Sequence, residues 1–230
     1  MRICGLQKLS LVDYPGKLAA TVFAGGCNLR CPFCHNALLV TRLDESPVLE
    51  EEEVLRFLES RRGLLDGVVL SGGEPLMQRD ATDFLKRIRD LGFPVKVDTN
   101  GFFPAVLRRL LEEGLCDYIA MDIKNSPDKY GETVGVPGVD LSSVQESVQM
   151  LISCKIPYEF RTTAVREFHT AEDFLVIGRW LKGARQYVIQ NFADSGNLIS
   201  GGLHGFSEEE LRTFQKAAEG NLEAVSIRGI

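Results

Sequence analysis

The chain has 230 residues, 44% hydrophobic and 25% charged, and its 26 Lys and Arg against 32 Asp and Glu give a formal net charge of -6. These are ordinary globular values and exclude a disordered, collagen-like or coiled-coil chain; a chain this long buries roughly 70% of its unfolded surface without disulfide staples. The mildly acidic balance offers no electrostatic footprint for nucleic acid or an anionic membrane. No apolar run approaches the ~20 residues needed to cross a bilayer. The N-terminal MRICGLQKLSLVDYPGK lacks the uninterrupted apolar stretch of a signal peptide. A cytoplasmic protein with no membrane or nucleic-acid partner is the expectation.

In chain order, Asp13-Tyr14-Pro15-Gly16 reads first as a turn, with Pro15 fixing φ and Gly16 permitting φ > 0. Six β-branched runs then read as strands, at 19–24, 67–70, 94–98, 117–121, 158–163 and 186–190, with 222–227 as a candidate seventh. Between and after them lie amphipathic helix candidates at 51–61, 80–91, 104–113, 141–152, 171–181 and 208–219. In the first of these, Val54, Leu55 and Leu58 recur at helical spacing. Four helices run into Gly92, Gly114, Gly183 and Gly220, predicted as C-caps. Ser207 with Glu210 predicts a capping box at the start of the last helix.

Strand alternating with helix about six times implies parallel strands with right-handed crossovers. Eight units would close a barrel of ~250 residues. Six units and a long first loop predict an α/β fold, a partial, laterally open (β/α)6 TIM-like barrel, in a single domain over residues 1–230. A doubly wound open sheet is the alternative, and element order alone does not separate the two.

Sites in parallel α/β folds lie at the carboxyl ends of the strands. Here those ends are polar: a cysteine loop after the first, Ser71-Gly72-Gly73-Glu74-Pro75 after the second, Asp98-Thr99-Asn100-Gly101 after the third. The fourth ends Asp122-Ile123-Lys124, where period 2 puts Asp122 and Lys124 on one face; the fifth carries Arg161 and Thr163, and the sixth ends Gln190-Asn191. Buried charge is costly unless paired or bound, so this ring predicts a polar ligand.

The six cysteines divide into three within the run Cys27-Asn28-Leu29-Arg30-Cys31-Pro32-Phe33-Cys34 and three scattered ones, Cys4, Cys116 and Cys154. Soft thiolates on one short loop favour an Fe–S cluster, Cu(I) or zinc. Structural zinc takes four protein ligands, and the obvious fourth, His35, is awkwardly adjacent to Cys34. A [4Fe–4S] cluster usually takes four cysteines, so three leave one iron open. The scattered cysteines read as small core residues, and His169 and His204 as surface loop residues.

This C-x3-C-x-aromatic-C run after the first strand, with Gly72-Gly73-Glu74-Pro75 after the second, resembles the radical S-adenosylmethionine (radical SAM) superfamily. The resemblance implies that Cys27, Cys31 and Cys34 hold a [4Fe–4S] cluster whose open iron is chelated by SAM. It also implies that Phe33 lies near the adenine and that Gly72, Gly73 and Glu74 receive the SAM ammonium. Cleavage of SAM would yield a 5′-deoxyadenosyl radical that abstracts hydrogen. Cys34-His35-Asn36, Asp98-Thr99-Asn100-Gly101, Asp122-Ile123-Lys124 and the Arg161 strand look like the activating enzymes of glycyl-radical enzymes. The opening Gly5-Leu6-Gln7-Lys8 through Lys17 looks most like the activating proteins of anaerobic ribonucleoside-triphosphate reductase. By that likeness Asp98, Thr99, Asp122, Lys124 and Arg161 surround SAM, some beside a monovalent cation. One departure is that pyruvate formate-lyase activases carry a histidine near the ribose after the sixth strand, where this chain reads Gln190-Asn191-Phe192.

The implied function is reductive cleavage of SAM and formation of a glycyl radical on a partner, with anaerobic ribonucleotide reductase the first choice and a flavodoxin- or ferredoxin-type electron donor. The alternatives are a pyruvate formate-lyase-type activase, a radical SAM enzyme for a small molecule such as a modified nucleoside, and a non-catalytic zinc or iron–sulfur protein.

Overall fold

The computed structural model describes all 230 residues. Its strands are β1 (Ile3–Ser10), β2 (Ala19–Ala24), β3 (Gly67–Gly72), β4 (Val95–Thr99), β5 (Tyr118–Asp122), β6 (Tyr158–Ala164), β7 (Tyr187–Asn191) and β8 (Val225–Arg228). The helices are α1 (Ala37–Thr41), α2 (Glu51–Ser60), α3 (Ala81–Asp90), α4 (Pro104–Glu112), α5 (Tyr130–Thr133), α6 (Ser142–Ser153), α7 (Ala171–Trp180) and α8 (Glu208–Ala218). The strands follow one another in chain order across an eight-stranded sheet, from β1 to β8 with no return. This is the α/β class that the alternation predicts, open rather than closed. The residues form two compact units, one of 1–28, 38–120 and 154–157, the other of 29–37, 121–153 and 158–230.

In the first unit β1 is an addition to the predicted strands. It runs antiparallel to β2, with irregularities between Ile3 and Gly5 and between Gln7 and Ser10. Each irregularity breaks the period-2 alternation by which a strand is read from sequence, and Gln7-Lys8-Leu9 is exposed. The predicted turn closes with Lys17 N donating to Tyr14 O at 3.1 Å, and Gly16 adopts φ 70°. β2, β3 and β4 pair in parallel, with Val22 opposite Leu70 and Leu70 opposite Val97. All three are fully buried, as are Val54 and Leu58 of α2 and Leu85 and Ile88 of α3. The alternate face carries Thr21, Val69 and Lys96 in register, then Ser71 and Asp98 toward the strand ends.

In the second unit β6, β7 and β8 are parallel, with Phe160 opposite Tyr187 and Ile189 opposite Ile227. Phe174 of α7 stacks on Phe214 of α8 at 4.6 Å between ring centroids. The predicted capping box is formed: Ser207 Oγ accepts from Glu210 N at 3.3 Å, and Glu210 Oε2 accepts from Ser207 N at 2.8 Å. Of the predicted glycine caps, Gly92, Gly114 and Gly183 take positive φ. Gly220 does not, because the chain leaves α8 through a 3-10 turn, Glu219–Asn221, that needs no left-handed residue.

Candidate active site

The glycine motif follows directly from β3. Gly72 has φ 121°, and a Cβ on Gly73 would lie 2.0 Å from Gly26 O and 3.3 Å from Cys27 Cβ. Only glycine lets these two backbones approach so closely. Gly73 N donates to Ala24 O at 2.9 Å and Glu74 N to Gly26 O at 2.8 Å, so the motif and the start of the cysteine loop form one folded piece.

Glu74 is fully buried. Its Oε1 accepts from Leu76 N at 3.0 Å and from Thr99 Oγ1 at 2.8 Å, and its Oε2 accepts from Asn100 N at 2.6 Å. This carboxylate therefore ties the end of β3 to the end of β4. Beneath it, Asp98 accepts from Ser71 Oγ at 2.9 Å and pairs with the ammonium of buried Lys96. Asn100, 5% exposed, directs Nδ2 to Asn28 Oδ1 at 2.8 Å and to Cys27 Sγ at 3.8 Å.

In the second unit, Cys34 N donates to Cys31 O at 3.0 Å, turning the Cys31–Cys34 segment. Two distant segments pin that turn: Arg30 N donates to Val134 O and Ser200 N to Pro32 O, both at 2.9 Å. Phe33 is buried, its ring 5.8 Å from that of Phe168. Burial pushes the Cys34 thiol up, opposed by the Asn36 backbone N–H and the charges of Lys124 and Arg30.

Asp122 is the centre of the charged face. Arg161 Nε donates to its Oδ1 at 2.9 Å and Lys124 Nζ to its Oδ2 at 3.0 Å, as the predicted spacing requires. Burial opposes ionisation of Asp122, but the Arg161 and Lys124 charges outweigh it and hold the carboxyl at about 2. Burial likewise opposes the Lys124 charge, and Asp122 and then Cys31 overcome it, so Lys124 is raised.

Two members of this network escaped the sequence reading. Glu159, 1% exposed, accepts two hydrogen bonds from Arg228 and lies 4.0 Å from Arg161 Nη1. Period 2 from Arg161 was the signal that could have found Glu159. His169 is a correction: it is buried, not on the surface. Its Nδ1 lies 3.1 Å from both Val165 N and Val165 O, and its Nε2 faces Lys124 O at 2.9 Å, a carbonyl to which it donates. His204 is exposed and meets Glu167 at 2.8 Å. Cys4 and Cys116 are buried core thiols, and Cys154 is partly buried.

No disulfide joins any of the six cysteines, and no group of three or more His, Cys, Asp and Glu stands at metal-binding spacing. The donor chemistry nevertheless fits an iron–sulfur cluster. It provides soft thiols on one loop, and the charges of Lys124 and Arg30 partly offset the burial that pushes the Cys34 thiol up.

The fold and this loop define a class, and the comparisons agree with it. A model of the Radical SAM superfamily matches residues 21–181. A Methanocaldococcus jannaschii protein classed with the glycyl-radical enzyme activating enzymes is 35% identical across 99% of this chain and 96% of its own length. The pyruvate formate-lyase-activating enzyme of Clostridium pasteurianum is 33% identical across 55% of this chain and 54% of its own. Among solved structures, Streptococcus suis SuiB bound to S-adenosylmethionine matches 88% of this chain at TM-score 0.68 and 16% identity, a likeness of fold alone. This chain spans about half of the last two proteins. The chain belongs to the radical SAM superfamily and, within it, to the glycyl-radical enzyme activating group.

Proposed function

We propose that this protein, acting as one radical SAM domain over residues 1–230, cleaves SAM reductively and places a glycyl radical on a partner enzyme, with anaerobic ribonucleotide reductase the first candidate. The observation that carries the reading is the full-length 35% identity to an activating-enzyme relative. Cys27, Cys31 and Cys34 would hold a [4Fe–4S] cluster, and bound together the cluster and SAM supply the one-electron cleavage that starts radical chemistry. The remaining work falls to the protein as orientation and exclusion of side reactions.

In this reading Glu74 acts through the loop it fixes. Both its oxygens accept hydrogen bonds from the chain, which holds the loop in place, and Gly72, Gly73 and Glu74 together would receive the SAM ammonium. Asp122, Lys124 and Arg161 offer a preformed charged surface for the polar end of SAM, with Asp98 and Thr99 contributing from β4 and Phe33 from the cysteine loop. A monovalent cation near some of these residues belongs to the same reading. A flavodoxin- or ferredoxin-type protein is the expected electron donor.

The test is anaerobic. Reconstituted protein, SAM, reductant and the anaerobic reductase should give a glycyl-radical doublet by electron paramagnetic resonance. SAM cleavage that is stimulated by a small metabolite, with no radical on any glycyl-radical enzyme, would replace this reading with small-molecule chemistry.

A further inference from the structure

The amide of Asn100 is oriented from both sides. Its Oδ1 accepts from Phe102 N at 3.1 Å, so Nδ2 is necessarily the atom that faces Asn28 Oδ1 at 2.8 Å and Cys27 Sγ at 3.8 Å. A primary amide carries two N–H donors, one for each of these acceptors. The backbone beneath is equally fixed, because Asn100 N donates to the buried carboxylate of Glu74 and Thr99 Oγ1 to its other oxygen.

Cys27 Sγ also lies 3.9 Å from Asn28 Oδ1. A thiol can donate to that oxygen. A metal-bound thiolate has no proton and can only accept, which leaves Asn100 as the donor and Asn28 as the group that steadies the donor. Hydrogen bonds to cluster sulfurs are among the levers that set reduction potential. An N–H dipole pointing at sulfur stabilises the more negative, reduced state.

We propose that Asn100 is a positioning residue that donates a hydrogen bond to the Cys27 sulfur and so raises the reduction potential of the cluster this cysteine holds. The inference rests on the reading above that Cys27 is a cluster ligand.

The experiment is a potentiometric titration of the anaerobically reconstituted protein, followed by electron paramagnetic resonance of the reduced cluster, in the parent, Asn100→Ala, Asn100→Asp and Asn28→Ala. Iron analysis accompanies each. Asn100→Ala should keep about four irons per chain and titrate at a more negative potential. Asn100→Asp, which can still accept from Phe102 N but exchanges the donor for a charge, should be more negative again. Asn28→Ala should shift less, since the donor remains. An Asn100→Ala protein with a full cluster and the parent's potential overturns the inference. A folded Asn100→Ala chain that takes up no iron also overturns it, by making the side chain an assembly element. Should Asn100→Ala not fold, Asn100→Asp decides by the same criteria. A parent that takes up no cluster defeats the functional reading and this inference with it; a normal parent with unshifted variants defeats only this one.

Discussion

Arg228 holds Glu159 by two parallel hydrogen bonds, Nη1 to Oε1 at 3.0 Å and Nη2 to Oε2 at 2.6 Å. The two residues are 69 apart in sequence, one on β6 and one at the end of β8. Glu159 is 1% exposed, and the planar guanidinium of Arg228 compensates its buried charge in fork geometry.

Removing that cover should be costly. Breaking a buried pair costs ~3–5 kcal/mol, and the partial exposure of Arg228 and the proximity of Arg161 Nη1 to Glu159 reduce it. Arg228→Met should therefore lower stability by about 2 kcal/mol in a denaturant titration. Arg228→Lys should recover part of that, since it restores charge but not the fork. Equal stability of all three would show that Glu159 does not depend on the pair.

Asp122 gives the fold an acid sensitivity. Its carboxyl titrates at about 2 when folded and at 3.8 in its ordinary state. A depressed carboxyl stabilises the fold above the unfolded value and loses that contribution as pH falls through the folded one. Between pH 4 and pH 2 the protein should lose about 2 kcal/mol from this group. Asp122→Asn should be less stable than the parent at pH 7 and should lack this part of the acid loss. A variant whose stability tracks the parent's across that range would contradict the assignment.

His169 carries the same sign for a different reason. Burial favours its neutral form and lowers its pKa below 6.5, against the Lys124 and Val165 backbone contacts that raise it. The unfolded imidazole takes up a proton first as pH falls, so this contribution is present above pH 6.5 and declines below it. His169→Phe leaves Val165 N and Lys124 O without their ring partners and should cost about 1–3 kcal/mol. It should also flatten the stability profile below pH 6.5. A profile unchanged by the substitution would place the titration elsewhere.

The elements readable from sequence are those whose signal is local. Strands β2 to β7 are short apolar runs bounded by turn residues, and the cysteine loop and Gly72-Gly73-Glu74 are fixed by spacing within a few residues. The features that escaped depend on distant partners or broken periodicity. β1 is interrupted twice in its register with β2. His169 looks like a loop residue until the Lys124 carbonyl, 45 residues earlier, is seen to accept from it. Glu159 is one carboxylate in a strand until Arg228 arrives from the end of the chain. The oxygens of Glu74 accept from Leu76, Thr99 and Asn100; these partners lie up to 26 residues away and are invisible in a four-residue motif.

The cysteines should separate cleanly by role. Cys27→Ala, Cys31→Ala and Cys34→Ala should each abolish SAM cleavage and depress iron content while leaving the unliganded chain folded by circular dichroism. Cys116 is buried in the core, with burial followed by the Asp117 charge pushing its thiol up to about 12, and it lies outside the Cys27–Cys34 loop. Cys116→Ala should keep parent-like iron. If Cys31→Ala retains full turnover, the ligand assignment is wrong.

The tightest steric requirement of the site lies at Gly73. A Cβ there would meet Gly26 O at 2.0 Å, and Gly26 O is itself the acceptor for Glu74 N at 2.8 Å. A carbonyl in a hydrogen-bonded loop cannot rotate aside as a side chain could, so Gly73→Ala must displace the backbone leading into Cys27. Overpacking of this kind costs ~1–3 kcal/mol, and the displacement should also reduce iron uptake and SAM binding by more than that stability loss explains. Gly63→Ala is the control, because Gly63 has φ 78° but nothing within 4 Å of a Cβ. It should cost only the backbone strain, ~1–2 kcal/mol, and bind cluster and SAM as the parent does. Parent-like stability, iron content and SAM affinity in Gly73→Ala would mean that the cysteine loop has room to spare and that the glycine is not what sets its path.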